Sequence, residues 1–125
     1  GKVKAWGLSN YPAWQVAQAA EICRQKGWPG PAVYQGMYNA LTRKVEEELF
    51  PCLRHYGIAF HAYNLLAGGL LTGRYTSIES IPSSGRFASD RSSPNEETVY
   101  QRRYWKQAYF DAIQEIRAAA EPHGI

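Results

Sequence analysis

Five residues able to bind a ligand through neutral hydrogen bonds or ring stacking recur in short apolar runs. Ser9 and Asn10 close VKAWGLSN, Gln35 lies within PAVYQGMYN, and Tyr63 with Asn64 closes IAFHAYN. Amides and a hydroxyl that converge on one place suit a carboxamide, which needs one donor and one acceptor. They do not suit a metal, and they supply no general base near neutral pH. Tyr63 offers a flat ring on which a planar heterocycle can stack. Taken one at a time, the same residues are ordinary polar loop residues, so the reading rests on their recurrence.

Directly after Asn64 comes GGLLTG, residues 68–73. Glycines let backbone N–H groups approach a ligand closely, and successive N–H groups form an anion nest. Turn glycines are commoner than phosphate-binding ones, so the motif is weak alone. Arg74 and Arg86 flank the loop and can pair with phosphate. Arg102, Arg103 and Lys106 read as a solvated helix face. His55, His61 and His123 lack metal-ligand spacing and read as surface or packing histidines. Cys23 and Cys52 belong to no CxxC pair and read as reduced, buried thiols. There is no Ser-His-Asp set, nucleophile elbow or P-loop, so no catalytic residue and no metal is assigned.

These residues need elements to position them. The steps from Asn10 to Gln35 to Tyr63 are each about 25–30 residues, the length of one strand–helix unit. The runs are nearly apolar throughout, which predicts a sheet buried on both faces. Between them, Val16, Ala19, Ala20 and Cys23 form one helical stripe, with Pro12 in the first turn and Gly27 as the stop. A second helix is predicted from a Thr42 cap through Val45, Leu49, Leu53 and Tyr56 to Gly57, kinked at Pro51. Residues 64–95 form a long Gly/Ser/Pro loop, well above the usual connection of about 4–6 residues. Asn95 is the predicted cap of a helical stretch over about 96–120. Val99, Arg103, Phe110, Ile113 and Ile116 lie on one side of it, with a break near Trp105–Lys106.

Composition limits the classes. The chain has 125 residues, 45% of them hydrophobic and 20% charged, the balance of one soluble globular domain. No run reaches the ~18 apolar residues of a membrane span. A formal charge of +3 is too small and too dispersed for nucleic acid, but is compatible with an anionic small ligand. The absence of an apolar leader and the lone cysteines point to the cytoplasm. Gly1 in place of Met suggests a piece of something longer. Three strand–helix units fill about half of a (β/α)8 barrel of about 250 residues. The expected class is therefore α/β, a partial TIM barrel, with a piece of an open doubly wound sheet as the rival. In either, ligands lie at the C-terminal ends of the strands.

GLSNY, VYQGMYN, VEEELFPCLRHYGIAFHAYN, LAGGLLTGRY and GRF…YQRRYWK together resemble the aldo-keto reductases, in their aflatoxin-aldehyde reductase (succinic semialdehyde reductase-like) branch. The resemblance covers almost the whole chain. It implies strand–helix units five to seven of a (β/α)8 barrel, incomplete at both ends, from the C-terminal half of an NADP(H)-dependent oxidoreductase. By that resemblance Ser9, Asn10 and Gln35 hold the nicotinamide carboxamide, and Tyr63 stacks on its ring. The stretch Asn64, Leu65, Leu66, Ala67, Gly68, Gly69, Leu70, Leu71, Thr72, Gly73 and Arg74 is the pyrophosphate loop. Arg86 is a further cofactor contact, in a loop (64–95) that covers the dinucleotide. Tyr100 and Arg103 reach toward the substrate. Leu65 stands where the family has proline. The family's Asp, Tyr, Lys and His tetrad comes from earlier strands.

The resemblance thus implies the cofactor-binding portion of a reductase that turns aldehydes or ketones into alcohols by hydride transfer, inactive by itself. Its partners are a small carbonyl substrate, with no nucleic acid or membrane, and a second copy in the complete dimeric enzyme. The alternative is a non-catalytic, truncated reductase-like protein that binds dinucleotide or partners.

Overall fold

Three parallel strands, β1 (Gly7–Ser9), β2 (Val33–Met37) and β3 (Ala59–Tyr63), lie side by side in that order, each joined to the next through a helix. The computed structural model describes residues 2–89 and 97–124. It divides into two units, Gly1–Leu65 and Leu66–Ile125. The first holds the sheet, α1 (Ala13–Lys26) and α2 (Leu49–Tyr56). The class is mixed α/β, as expected.

Strand alternation sorts the side chains. Leu8, Tyr34 and Phe60 fall on one face and pack into a core of Val16, Tyr34, Leu49, Leu53 and Ile58. The helical stripe supplies Val16, Ala20 and Cys23, all buried. Cys23 and Cys52 are free thiols, the first buried and the second half-buried. The opposite face carries Ser9, Gln35 and His61, all exposed. Near-apolar strands predict cover on both faces; within the first unit, α1 and α2 cover only one.

Two helix starts differ from expectation. Pro12 sits at the N-cap rather than in the first turn, its carbonyl accepting from the Gln15 and Val16 N–H groups at 3.0 and 3.2 Å. The second helix does not begin after Thr42. Thr42 exchanges backbone hydrogen bonds with Asn39 in a tight turn, and Lys44–Glu46 forms one 3₁₀ turn. The helix starts at Leu49, which places Pro51 in its first turn. A missing N–H costs nothing there, so the expected kink has no cause. Both helices end at glycines in the left-handed region, Gly27 and Gly57, as expected.

The second unit opens with 3₁₀ turns over Ala67–Thr72 and ends with α3 (Val99–Tyr104) and α4 (Gln107–Ala120). Asn95, the predicted cap, lies outside the described residues. Thr98 caps α3 in a reciprocal box with Gln101: its Oγ1 accepts from the Gln101 N–H at 3.2 Å, and Gln101 Oε1 accepts from the Thr98 N–H at 2.7 Å. The expected break falls at Trp105–Lys106, where the backbone turns extended. Because the chain changes direction there, one helical period cannot run through it. The buried side is Gln101, Tyr104, Phe110 and Ile113, whereas Val99, Arg103 and Ile116 are exposed.

The described part of the 64–95 loop is tied down by side chains from these helices. Gln101 Nε2 donates to the Phe87 carbonyl at 2.8 Å, Trp105 Nε1 to Ile78 at 2.7 Å, and Arg117 Nη2 to Gly73 at 3.1 Å. Tyr75, Phe87, Trp105 and Phe110 stack edge-on or tilted beneath it. Among the described residues no helix is long and apolar enough to cross a membrane.

Candidate functional site

Strand register decides which side chains become neighbours. Ser9 pairs with Gln35, and Gln35 with His61, so the three stand in one row across the open face. Adjacent members are about 4.8 Å apart, one strand spacing. Met37 pairs with Tyr63 one layer further toward the C-terminal ends. Gln35 is thus two residues short of the strand end, level with the last residue of β1.

The chain bends sharply as it leaves β1 and β3. Asn10 (φ 60°) and Asn64 (φ 59°) both adopt the left-handed conformation, which asparagine tolerates better than most residues. At Asn10 the bend presents the carboxamide to Tyr63, whose hydroxyl donates to Asn10 Oδ1 at 2.9 Å. As β2 lies between their strands, the Tyr63 side chain must reach across the end of β2. The bond occupies an acceptor of Asn10 and leaves the amide Nδ2 as a donor. At Asn64 the bend is held by Asn39, which is 7% exposed. Asn39 Nδ2 donates to the Asn64 carbonyl at 3.0 Å, while its Oδ1 accepts from the Leu41 and Thr42 N–H groups, each at 2.9 Å.

A charged network borders the turn after β2. Tyr38 donates to Glu46 at 2.5 Å, and Arg43 binds both Glu46 oxygens at 2.8 and 2.9 Å. Arg43, and after it Tyr38, hold the Glu46 carboxyl below its ordinary range, while the Glu46 bond raises the Tyr38 phenol.

In the second unit, Gly69 and Leu71 both donate to the Leu66 carbonyl, at 2.8 and 3.2 Å, and the Arg74 N–H to Thr72 Oγ1 at 3.3 Å. The glycine loop therefore spends two of its N–H groups on its own turn, more than an open nest would. Ala67 is fully buried at φ 49°, a strained conformation for alanine. Gly68, at φ +72°, lies under the Tyr100 ring: a Cβ there would meet Tyr100 Cδ1 at 2.7 Å and Phe87 Cζ at 3.2 Å. Arg86 Nη1 donates to the Tyr100 hydroxyl at 2.7 Å, with the guanidinium 5.1 Å from that ring's centroid. The residues read separately as a cofactor contact and a substrate contact are therefore direct neighbours. Arg74 and Arg103 are exposed.

One residue escapes the sequence: Asn39 stands inside the VYQGMYN run, but only the fold shows that it holds the Asn64 bend. His61, expected as a surface or packing histidine, is exposed on the open sheet face, on the same side of β3 as Tyr63. Among the described residues no cluster of His, Cys, Asp or Glu could hold a metal.

Parallel strand–helix units carrying amides, a hydroxyl and a ring at their C-terminal ends define a chain of the α/β class. The family model "Aldo/keto reductase family" matches residues 1–125, and the chain belongs to that family. It is 48% identical over 123 residues to human aldo-keto reductase family 7 member A3, covering 97% of this chain and 36% of the relative. It is 50% identical to human aflatoxin B1 aldehyde reductase member 2, covering 97% and 33%. With an aldo-keto reductase of Pseudocercospora fijiensis it shares 45% identity, over 100% and 41%. The chain spans about a third of the length of the human relatives.

Proposed function

We propose that this chain is the cofactor-binding portion of an NADP(H)-dependent aldo-keto reductase, which reduces an aldehyde or ketone to an alcohol. Ser9, Asn10 and Gln35 hold the carboxamide of the nicotinamide, and Tyr63 lies against the ring. The Asn64–Arg74 loop and Arg86 take the phosphates. Tyr100 and Arg103 face the substrate. The units are the fifth to seventh of a (β/α)8 barrel, and the open sheet face turns to the barrel interior.

The observation that carries this reading is the joining of Asn10 to Tyr63 above the Ser9–Gln35 row. It assembles a donor, acceptors and an aromatic shelf at one end of a parallel sheet. The dinucleotide supplies the hydride, from C4 of the reduced ring. This chain's residues fix which ring face is presented, and a bound, aligned hydride source is worth orders of magnitude in rate. The proton for the developing alkoxide is assigned, by the family resemblance, to the tetrad of the earlier strands. The resemblance to the family branch is what supports NADP rather than NAD, and a homodimer for the complete enzyme. Free thiols fit a reducing, cytoplasmic setting.

The test is NADPH binding by fluorescence, with NADPH oxidation in the presence of 4-nitrobenzaldehyde. The 125-residue chain is expected to bind without turnover. Turnover by this chain alone would overturn the assignment of the proton donor, and a longer polypeptide that reduces the aldehyde without needing Gln35 would overturn the cofactor site.

A further inference from the structure

We propose that Tyr100 is a positioning residue for the cofactor: it holds the Arg86 guanidinium in place for a phosphate of the dinucleotide and ties it to the glycine turn. The inference rests on the cofactor site proposed above, and gives Tyr100 a role there besides its place facing the substrate.

Arg86 stands in a turn between Gly85 and Phe87. The backbone of that turn is fixed. Phe87 is fully buried and its carbonyl accepts from Gln101 Nε2 at 2.8 Å, while the Ala88 N–H donates to the Gly85 carbonyl at 3.2 Å. The Arg86 side chain is exposed. A long exposed side chain samples many rotamers, and ordering it weakens any binding that uses it. Tyr100, 14 residues further on, restricts that freedom at two points. Its hydroxyl accepts from Arg86 Nη1 at 2.7 Å, and the guanidinium carbon lies 5.1 Å from its ring centroid.

The ring is itself held. Phe87 meets it edge-on with centroids 6.1 Å apart. Gly68 lies so close that a Cβ there would meet Tyr100 Cδ1 at 2.7 Å, which only glycine avoids. The Thr98–Gln101 capping box fixes the helix start that carries Tyr100. One side chain therefore joins the glycine turn to the Arg86 turn, the two stretches assigned above to the phosphates.

The anchor leaves the cation usable. A phenol oxygen is neutral, so unlike a carboxylate it does not offset the charge that a phosphate would meet. The ion pairs among the described residues are Arg24–Glu21, Arg43–Glu46 and Lys44–Glu47, and Arg86 is in none of them. One N–H goes to the phenol, and the rest of the guanidinium fork remains for phosphate oxygens. The phenol keeps its own O–H to donate, so holding Arg86 is compatible with a bond to substrate. A cation set in place beforehand lowers the ordering cost of binding and slows the escape of bound dinucleotide.

The experiment measures Kd and dissociation rate for NADPH in a reductase polypeptide that includes this chain, as wild type, Tyr100→Phe, Arg86→Met and the double variant. Tyr100→Phe keeps the ring against Gly68 and Phe87 and removes only the hydroxyl. It should weaken NADPH binding roughly 3- to 10-fold, mostly through faster release, the range for a hydrogen bond to a charged but exposed group. In the Arg86→Met background the same change should alter Kd by less than about 2-fold, because the bond it breaks is already gone. Equal weakening in both backgrounds overturns the proposal, since a purely structural or substrate-facing role of Tyr100 does not depend on Arg86. A Tyr100→Phe variant that binds NADPH as wild type does also overturns it. Arg86→Met binding NADPH like wild type overturns instead the place of Arg86 in the cofactor site, on which the role of Tyr100 depends.

Discussion

Tyr63 and Asn10 are 53 residues apart in the chain, yet the Tyr63 hydroxyl donates to Asn10 Oδ1 at 2.9 Å. The bond fixes the ring across the end of the middle strand and orients the Asn10 amide at once. Tyr63→Phe keeps the ring and removes the bond. It is expected to weaken NADPH binding roughly 2- to 10-fold, the range for one partly exposed hydrogen bond, while Tyr63→Ala weakens it further. Fluorescence titration of both variants separates ring from hydroxyl.

Gln35 should affect position as well as affinity. In a reductase polypeptide that includes this segment, Gln35→Ala is expected to raise the cofactor KM and lower kcat together, because a rotated ring presents its hydride badly. Steady-state kinetics with saturating aldehyde check this. Unchanged values would remove Gln35 from the site.

Gly68 tests the loop. Gly68→Ala forces a left-handed alanine, at about 1–2 kcal/mol, and drives its Cβ into the Tyr100 ring and Phe87. The expected result is a clear loss of dinucleotide affinity, with binding of free nicotinamide changed much less. Calorimetry with the two ligands reads the difference.

Gly36 tests the core rather than the site. A Cβ there would lie 2.7 Å from Phe60 Cε2 and 2.9 Å from Tyr34 Cε1. Both rings belong to the packed side of the sheet, so relief requires repacking. Gly36→Ala should destabilise the protein by about 1–3 kcal/mol in urea unfolding, with little change in slope.

The Arg43–Glu46–Tyr38 network gives a pH signature. The folded-state carboxyl of Glu46 is lowered, so its contribution is present above the ordinary carboxylate range and is lost as pH falls through it. The Tyr38 phenol is raised, so its contribution is present below the ordinary phenol range and is lost as pH rises through it. Glu46→Gln should flatten the acid limb of a Tm–pH curve. At neutral pH it should cost only a few degrees or less, because the groups are exposed.

Local chemistry was legible in the sequence. The strand–helix rhythm, the glycines that end α1 and α2, the break at Trp105–Lys106 and the polar residues at the strand ends follow from periodicity and backbone preference. These act over a few residues. Pairing across the sheet does not. Register alone set Gln35 between Ser9 and His61, and the tertiary fold alone brought Tyr63 to Asn10, Asn39 to Asn64 and Arg86 to Tyr100. The start of α2 moved to Leu49 because Thr42 found a partner in Asn39, and a helical pattern cannot reveal that competition. The sequence by itself determined which groups this protein can offer a ligand. Only the tertiary structure decided which of them meet, because a contact between distant residues is selected by packing and strand register together and leaves no period in the chain.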